Sequence, residues 1–246
     1  MRFVRMTAVV AAGMLALAAC GGGDEGGSGG SGGDSEKVNT FEGQTAAQVL
    51  EAAKKATQGA KSVHMTGEFS EGGSALKIDM VMSDGQGGQG SVSMDGDEMQ
   101  VRQVGEDIYV KGSKEVWSSM VPGAAEAAEK LEGKWVHVSK NDSASERFSQ
   151  ITSMDEAFEG LLKTTSKTIT KVKGKDVDGT PTIGLEDKGD DEGDTSTLYI
   201  ATKGPAYPLL VEPKTQTGKI TFTEWNSEVK VEAPDGATEL SKIVKS

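Results

Sequence analysis

Few residues in this chain are equipped for chemistry. There is one cysteine, Cys20, and there are two histidines, His64 and His137. A lone sulfur forms no internal disulfide and no multi-thiolate metal site. Both histidines fall in strand-like surroundings, without further histidines or acids at metal-ligand or triad spacing, so they read as satisfied structural residues. The sequence has no G-x-S-x-G elbow and no H-E-x-x-H motif. The acidic run 186–194 (EDKGDDEGD) lacks the spaced acids and terminal Glu of a calcium loop, and reads as a solvated hairpin loop between Leu185 and Leu198. Trp117, Trp135 and Trp225 sit in strand-like contexts, where burial against a sheet is the expectation. The residues therefore predict no enzyme, no cofactor and no metal, and leave Cys20 as the one side chain with a specific chemical task.

That task follows from its position. Arg2 and Arg5 precede an apolar run over 7–17, and the run ends in Leu17, Ala18, Ala19 and Cys20. The run is shorter than the roughly 20 apolar residues that span a bilayer, and has the size and flanks of a secretory signal peptide. Its end resembles the lipobox of bacterial lipoproteins, in which the thiol of Cys20 is acylated and the chain is cut just before it. This implies lipid anchoring on the outer face of the cell membrane. Loss of Arg2 and Arg5, with no acid lost, takes the net charge from −12 to −14. So acidic a chain is a poor nucleic-acid ligand and is not drawn to anionic headgroups by charge, so its acyl chains must hold it to the membrane.

The elements behind Cys20 are legible in outline. Residues 21–35 (GGGDEGGSGGSGGDS) read as a flexible tether with a reach of ~20 Å, and 1–19, 20–40 and 41–246 as leader, acylated tether and a single domain. Thr45 and Gln48 form a capping box ahead of a helical face of Ala46, Val49, Leu50, Ala53 and Ala56, which Gly59 ends. From Ser62 the period becomes two. Leu76, Ile78, Met80 and Met82 alternate with Lys77, Asp79, Val81 and Ser83, and Val92, Met94, Met99 and Val101 continue the inward set through the turn at Asp95-Gly96. Gly105-Glu106 turns into a strand over 108–110. A helix over 122–132, a strand over 135–138 and a second capping box at Ser153 and Glu156 follow, the last with Phe158, Leu161 and Leu162 as its apolar face. Strands are predicted over 168–173, 180–186, 197–201, 209–212, 219–224 and 228–231, with a turn at Asp178-Gly179. The fold class is α+β: one long curved antiparallel sheet with helices on one face.

Several stretches carry a more specific likeness: 104–111 (VGEDIYVK), 133–136 (GKWV), 174–180 (GKDVDGT), 198–212 (LYIATKGPAYPLLVE), 218–226 (GKITFTEWN) and 231–234 (VEAP). In this order and spacing, over roughly residues 41–238, the chain resembles the LolA-like lipoproteins, and among them the LppX/LprG group of high-GC Gram-positive bacteria. The resemblance implies a half-barrel sheet with helices on its concave face and an apolar cavity between. It also implies an acyl lipid or glycolipid as ligand, carried rather than transformed, or, in relatives of the fold, an envelope protein as partner. The residues themselves leave two readings open. Leu76, Ile78, Met80, Met82, Val92, Met94, Met99, Val101, Phe158, Leu161 and Leu162 form either a cavity wall, where methionines adapt to varied ligands, or an ordinary filled core. With 35% hydrophobic and 5% aromatic residues, the chain has little material for a cavity that holds a three-chain glycolipid. A carrier is the first expectation and a non-enzymatic docking or sensor lipoprotein the second. A transporter's solute receptor is disfavoured, because no two-lobed strand–helix alternation is present.

Overall fold

The computed structural model describes residues 41–71, 74–120, 125–139, 145–163, 169–188, 195–214 and 217–244. Cys20, the leader and the tether lie outside them. Residues 36–246 form a compact unit that contains everything described below.

The first helix, α1 (Ala46–Gln58), starts where the capping box places it. The Thr45 hydroxyl accepts from the Gln48 amide at 3.2 Å, and Gln48 Oε1 accepts from the Thr45 amide at 2.8 Å. Gly59 ends it, and its amide donates to the Ala56 carbonyl at 3.2 Å. Five antiparallel strands follow: β1 (Ser62–Glu71), β2 (Ser74–Ser83), β3 (Gly87–Met94), β4 (Asp97–Val104) and β5 (Asp107–Gly112). Asp95 and Gly96, both at positive φ (53° and 97°), make the β3–β4 turn as the sequence predicts. Next come α2 (Lys114–Met120), α3 (Ala125–Leu131), β6 (Val136–Val138), α4 (Ser145–Thr152) and α5 (Met154–Leu162). The second meander is β7 (Thr170–Val172), β8 (Asp176–Val177), β9 (Thr180–Asp187), β10 (Ser196–Ala201), β11 (Pro208–Pro213) and β12 (Thr217–Thr223), and the chain ends in β13 (Thr238–Glu239) and α6 (Leu240–Val244).

The strands make one unclosed sheet of order β13-β6-β5-β4-β3-β2-β1-β12-β11-β10-β9-β7, with β8 paired to β9. All pairs are antiparallel except β13 with β6. The first meander runs outward from β1 and the second runs inward to β12, so the pair β1–β12 is the seam between them. The helices cover the concave face, and two cores result. One packs α1 and α5 on β1, β2 and β9 to β12, through Val49, Leu50, Met80, Met82, Phe158 and Phe222. The other packs α2, α3, α4 and α6 on β4 to β6, around Trp117, Leu131, Phe148 and Val110.

Two expectations are corrected, and one element is new. Trp117 lies on a helix, not a strand: the Ser113 hydroxyl accepts from the Val116 amide at 3.2 Å, a cap that starts α2. The α4 helix was not anticipated. Its Thr152 hydroxyl bonds back to the Phe148 carbonyl at 2.8 Å, and Phe148 anchors it in the second core. Residues 228–231 alternate like a strand but have no regular structure. The central strands are paired on both sides, and this segment pairs with none of the strands. It returns toward β6, and its Glu232 carbonyl accepts from Arg102 at 3.3 Å on the way.

Candidate ligand cleft

The α5 helix is the element that shapes the site. Its N-cap is Ser153, whose hydroxyl accepts from the Glu156 amide at 3.4 Å. Met154, Phe158 and Leu162, four residues apart, form its buried stripe. The helix does not lie flush on the sheet. Between it and β1, β2 and β12 is a cleft of about 680 Å³, lined by Met65, Ile78, Ile151, Leu161, Ile220 and Phe222, with Glu156, Glu159 and Lys163 at its rim. On the other side of α5, toward α1, is a cleft of about 690 Å³ with a more polar border, to which Lys54, Gln58, Asp84 and Asp155 contribute. Phe158, Glu159 and Lys163 line both. A single short helix thus separates an apolar space from a mixed, more polar one.

The apolar set predicted from the sequence divides along this line. Ile78, Phe158 and Leu161 line the sheet-side cleft, and Phe158 and Leu162 line the α1-side cleft. Met80, Met82 and Val101 have no exposed surface and pack in the interior. The reason is the glycines of β3. A Cβ on Gly90 would stand 2.7 Å from Met80 Sδ, and one on Gly88 would stand 3.2 Å from Met82 Cγ. The two methionine side chains occupy the space that larger residues on β3 would have taken. Met99 belongs to the second core. Leu76 and Val92 are half-buried and border neither cleft, and Met94, beside the β3–β4 turn, is 58% exposed. Met65, Ile151, Ala157, Ile220 and Phe222 line the sheet-side cleft without having been singled out in the sequence. The alternation of Ile220 and Phe222 with threonines was the available signal.

One end of the cleft abuts an aromatic cluster. Phe158 and Phe222, both cleft residues, have ring centroids 5.2 Å apart, and Phe158 lies 5.3 Å from the Trp225 ring. Trp225 in turn stacks on Tyr207 at 4.3 Å with the planes 3° from parallel.

The two histidines are engaged elsewhere. His64 Nε2 is 2.8 Å from Asp79 Oδ1. His137 meets Asp107 at 2.9 Å through Nε2 and Glu239 at 3.0 Å through Nδ1, with its ring stacked on Tyr109 at 5.1 Å. Partial burial works against the charged imidazole of His137, but the hydrogen bonds to Glu239 and Asp107 outweigh it and raise its pKa above the ordinary value. Among the described residues no group of three or more His, Cys, Asp or Glu is arranged to hold a metal ion. Nor is any described helix long and apolar enough to cross a membrane.

Among solved structures, LprF from Mycobacterium bovis superposes with a TM-score of 0.51 at 15% identity, over 78% of this chain and 97% of that one. The chain has the LprF fold. LppX of Mycobacterium tuberculosis is also similar, with a TM-score of 0.46 and 18% identity over 76% of this chain and 98% of that one. MucB in its complex with MucA from Pseudomonas aeruginosa gives a TM-score of 0.39 and 14% identity, over 80% of this chain and 60% of that one. No protein-family model matches the chain, and no curated protein does. The curved, unclosed, mostly antiparallel sheet with a few helices is the α+β half-barrel that the sequence predicted.

Proposed function

We propose that this protein is an extracytoplasmic lipoprotein, anchored through Cys20, that binds the acyl part of an amphiphile in the cleft between α5 and the sheet and acts without covalent chemistry. The observation that carries this reading is the cleft itself. Its volume of about 680 Å³ falls within the ~300–1,000 Å³ of ordinary ligand pockets. Its walls are aliphatic and aromatic, and its charged groups stand at the rim. Each methylene taken from water contributes about 0.8 kcal/mol, so apolar area supplies the affinity. The more polar cleft on the other side of α5 gives a headgroup a place next to the buried chain. Together with a lipid anchor and an LprF fold, this suits a protein that lifts an amphiphile out of a leaflet and passes it on.

A second reading, a docking or sensor lipoprotein with a filled interior, is favoured by one observation: Met80 and Met82 fill the concave face over β3. The deciding experiment is native mass spectrometry of the chain from Glu36, expressed in a bacterial host and purified without detergent, together with analysis of its organic extract. Near-stoichiometric acyl lipid is the expected result. An apo mass that stays unchanged after incubation with lipid vesicles refutes the carrier reading and leaves the docking one.

A further inference from the structure

The outer flank of α5 carries its charges in a fixed order. Asp155, Glu159 and Lys163, the last of them the C-cap, are exposed and four residues apart. They form one ridge beside the buried stripe of Met154, Phe158 and Leu162. Two acids are followed by a base, with about 6 Å of helix rise at each step. All three border the α1-side cleft, and Glu159 and Lys163 border the apolar sheet-side cleft as well. A molecule that fills the sheet-side cleft therefore meets a carboxylate and an ammonium together at its rim.

These charges do not serve to hold the fold together. A Glu followed four residues later by a Lys is the order that favours an intrahelical ion pair, yet none joins Glu159 to Lys163. Among the described residues neither side chain forms a hydrogen bond or an ion pair, and the same holds for Asp155. It holds also for the carboxylate of Asp84, which reaches the α1-side cleft from the turn between β2 and β3. Lys54, the other cation of that cleft, is taken by Glu51 at 3.1 Å. Glu156, also at the sheet-side rim, is already engaged. Of the charged groups around the two clefts, one cation and three carboxylates thus remain without a partner among the described residues.

We propose that Glu159 and Lys163 form a headgroup clamp that selects a zwitterionic amphiphile: Lys163 takes the anionic group of the head, Glu159 takes its ammonium, and the acyl chain lies in the sheet-side cleft. The inference rests on the lipid-binding reading and deepens it by naming the class of head. Apolar walls favour burial of a chain, and the few polar groups placed around them decide which molecule is held. The charges discriminate among heads. A purely anionic head gains Lys163 but stands against Glu159, Asp155 and Asp84. An uncharged head leaves both members of the clamp to water. A phosphate and an ammonium joined by a two-carbon spacer engage both at once, across one turn of α5, and the further carboxylates favour the ammonium end. Because the clamp stands at an open rim, neither charge has to be fully desolvated, and the cost that attends buried ion pairs stays small.

The test compares three probes with the same palmitoyl tail, each below its micelle threshold: lysophosphatidylethanolamine, which is zwitterionic, lysophosphatidylglycerol, which is anionic, and monopalmitoylglycerol, which is uncharged. Each is titrated into the chain from Glu36 as wild type, as Glu159→Gln and as Lys163→Gln. Both side chains are exposed, so the substitutions leave the core untouched. The wild type is expected to bind the ethanolamine lipid about tenfold more tightly than either of the others, the value of one charge-assisted hydrogen bond. In Glu159→Gln its advantage over lysophosphatidylglycerol falls to about one, and in Lys163→Gln its advantage over monopalmitoylglycerol does the same. A wild type that does not favour the ethanolamine lipid over both others, or a preference that survives either substitution, overturns the clamp while lipid binding stands. If no probe binds the wild type, the lipid-binding reading fails and the clamp with it.

Discussion

Met80 and Ile78 lie two residues apart on the same face of β2, and their truncations should do opposite things. Met80 has no exposed surface. It is paired in register with Met65 on one side and Gly90 on the other, and its side chain fills the space over that glycine. Met80→Ala leaves a void that the neighbouring backbone cannot close, at a cost of about 2–5 kcal/mol. With a urea slope of about 2–3 kcal/mol/M, a loss of ~3 kcal/mol lowers the unfolding midpoint by about 1–1.5 M. The affinity for an acyl probe should stay unchanged, because Met80 touches neither cleft. Ile78 is half-buried and forms cleft wall. Ile78→Ala removes little folded-state packing but takes away apolar contact worth about 1–2 kcal/mol to a ligand, about a tenfold loss of affinity. Tryptophan fluorescence in urea reads the first quantity, and titration with monopalmitoylglycerol reads the second. If Met80→Ala lowers affinity at unchanged stability, or Ile78→Ala destabilises the fold and leaves binding intact, the division of this face into core and cleft wall is refuted.

The glycines give a second contrast. A Cβ at Gly90 would stand 2.0 Å from the Asp79 carbonyl oxygen, so Gly90→Ala should force β2 and β3 apart and cost about 1–3 kcal/mol or more in urea melts. Gly160, on α5, has open space where a Cβ would go, and Gly160→Ala should stabilise by about 0.5–1 kcal/mol in the same assay. For His137 the folded pKa is raised, so its contribution to stability is complete below the unfolded value of about 6.5. It is lost as pH rises from there through the folded value. Exchange of the Thr238 amide, which donates to the Trp135 carbonyl at 2.9 Å, should therefore accelerate over that range beyond the intrinsic base dependence, and in His137→Gln this excess should vanish. Thr45→Ala removes the hydroxyl half of the α1 capping box and should lower stability by about 1 kcal/mol, measured by thermal or urea melts.

What could be read from the sequence was local. The Thr45–Gln48 box and the Asp95-Gly96 turn are decided by a few adjacent residues, and the alternation of Leu76, Ile78, Met80 and Met82 identified the inner face of β2. The same alternation could not separate Ile78 from Met80. Their different surroundings depend on Gly90 of the next strand and on where α5 stands, neither of which leaves a mark in the pattern of β2. Ile220 and Phe222 complete the cleft from the far end of the chain, across a strand pair that no local signal announces. Trp117 and the segment 228–231 failed for the converse reason. Their composition suits a strand, but Ser113 caps a helix ahead of the first, and the second pairs with no strand of the sheet.

The seam between the two meanders constrains when this cleft can exist. Met65 sits in register with Phe222, and Gly67 with Ile220, so the two sides of the pocket come from opposite ends of the domain. A chain that emerges amino terminus first can zip β1 to β5 from neighbouring segments as they appear. The pairing of β1 with β12 must wait until more than half of the sequence has followed, and such distant closures are the slow ones. Until then the apolar side of β1 and β2 has no opposite wall, and one edge of β1 is bare and open to self-association. The cleft is thus completed in a single late step, the docking of residues 217–223, and a molecule truncated just before them would retain most of its strands but lose the wall that Ile220 and Phe222 make.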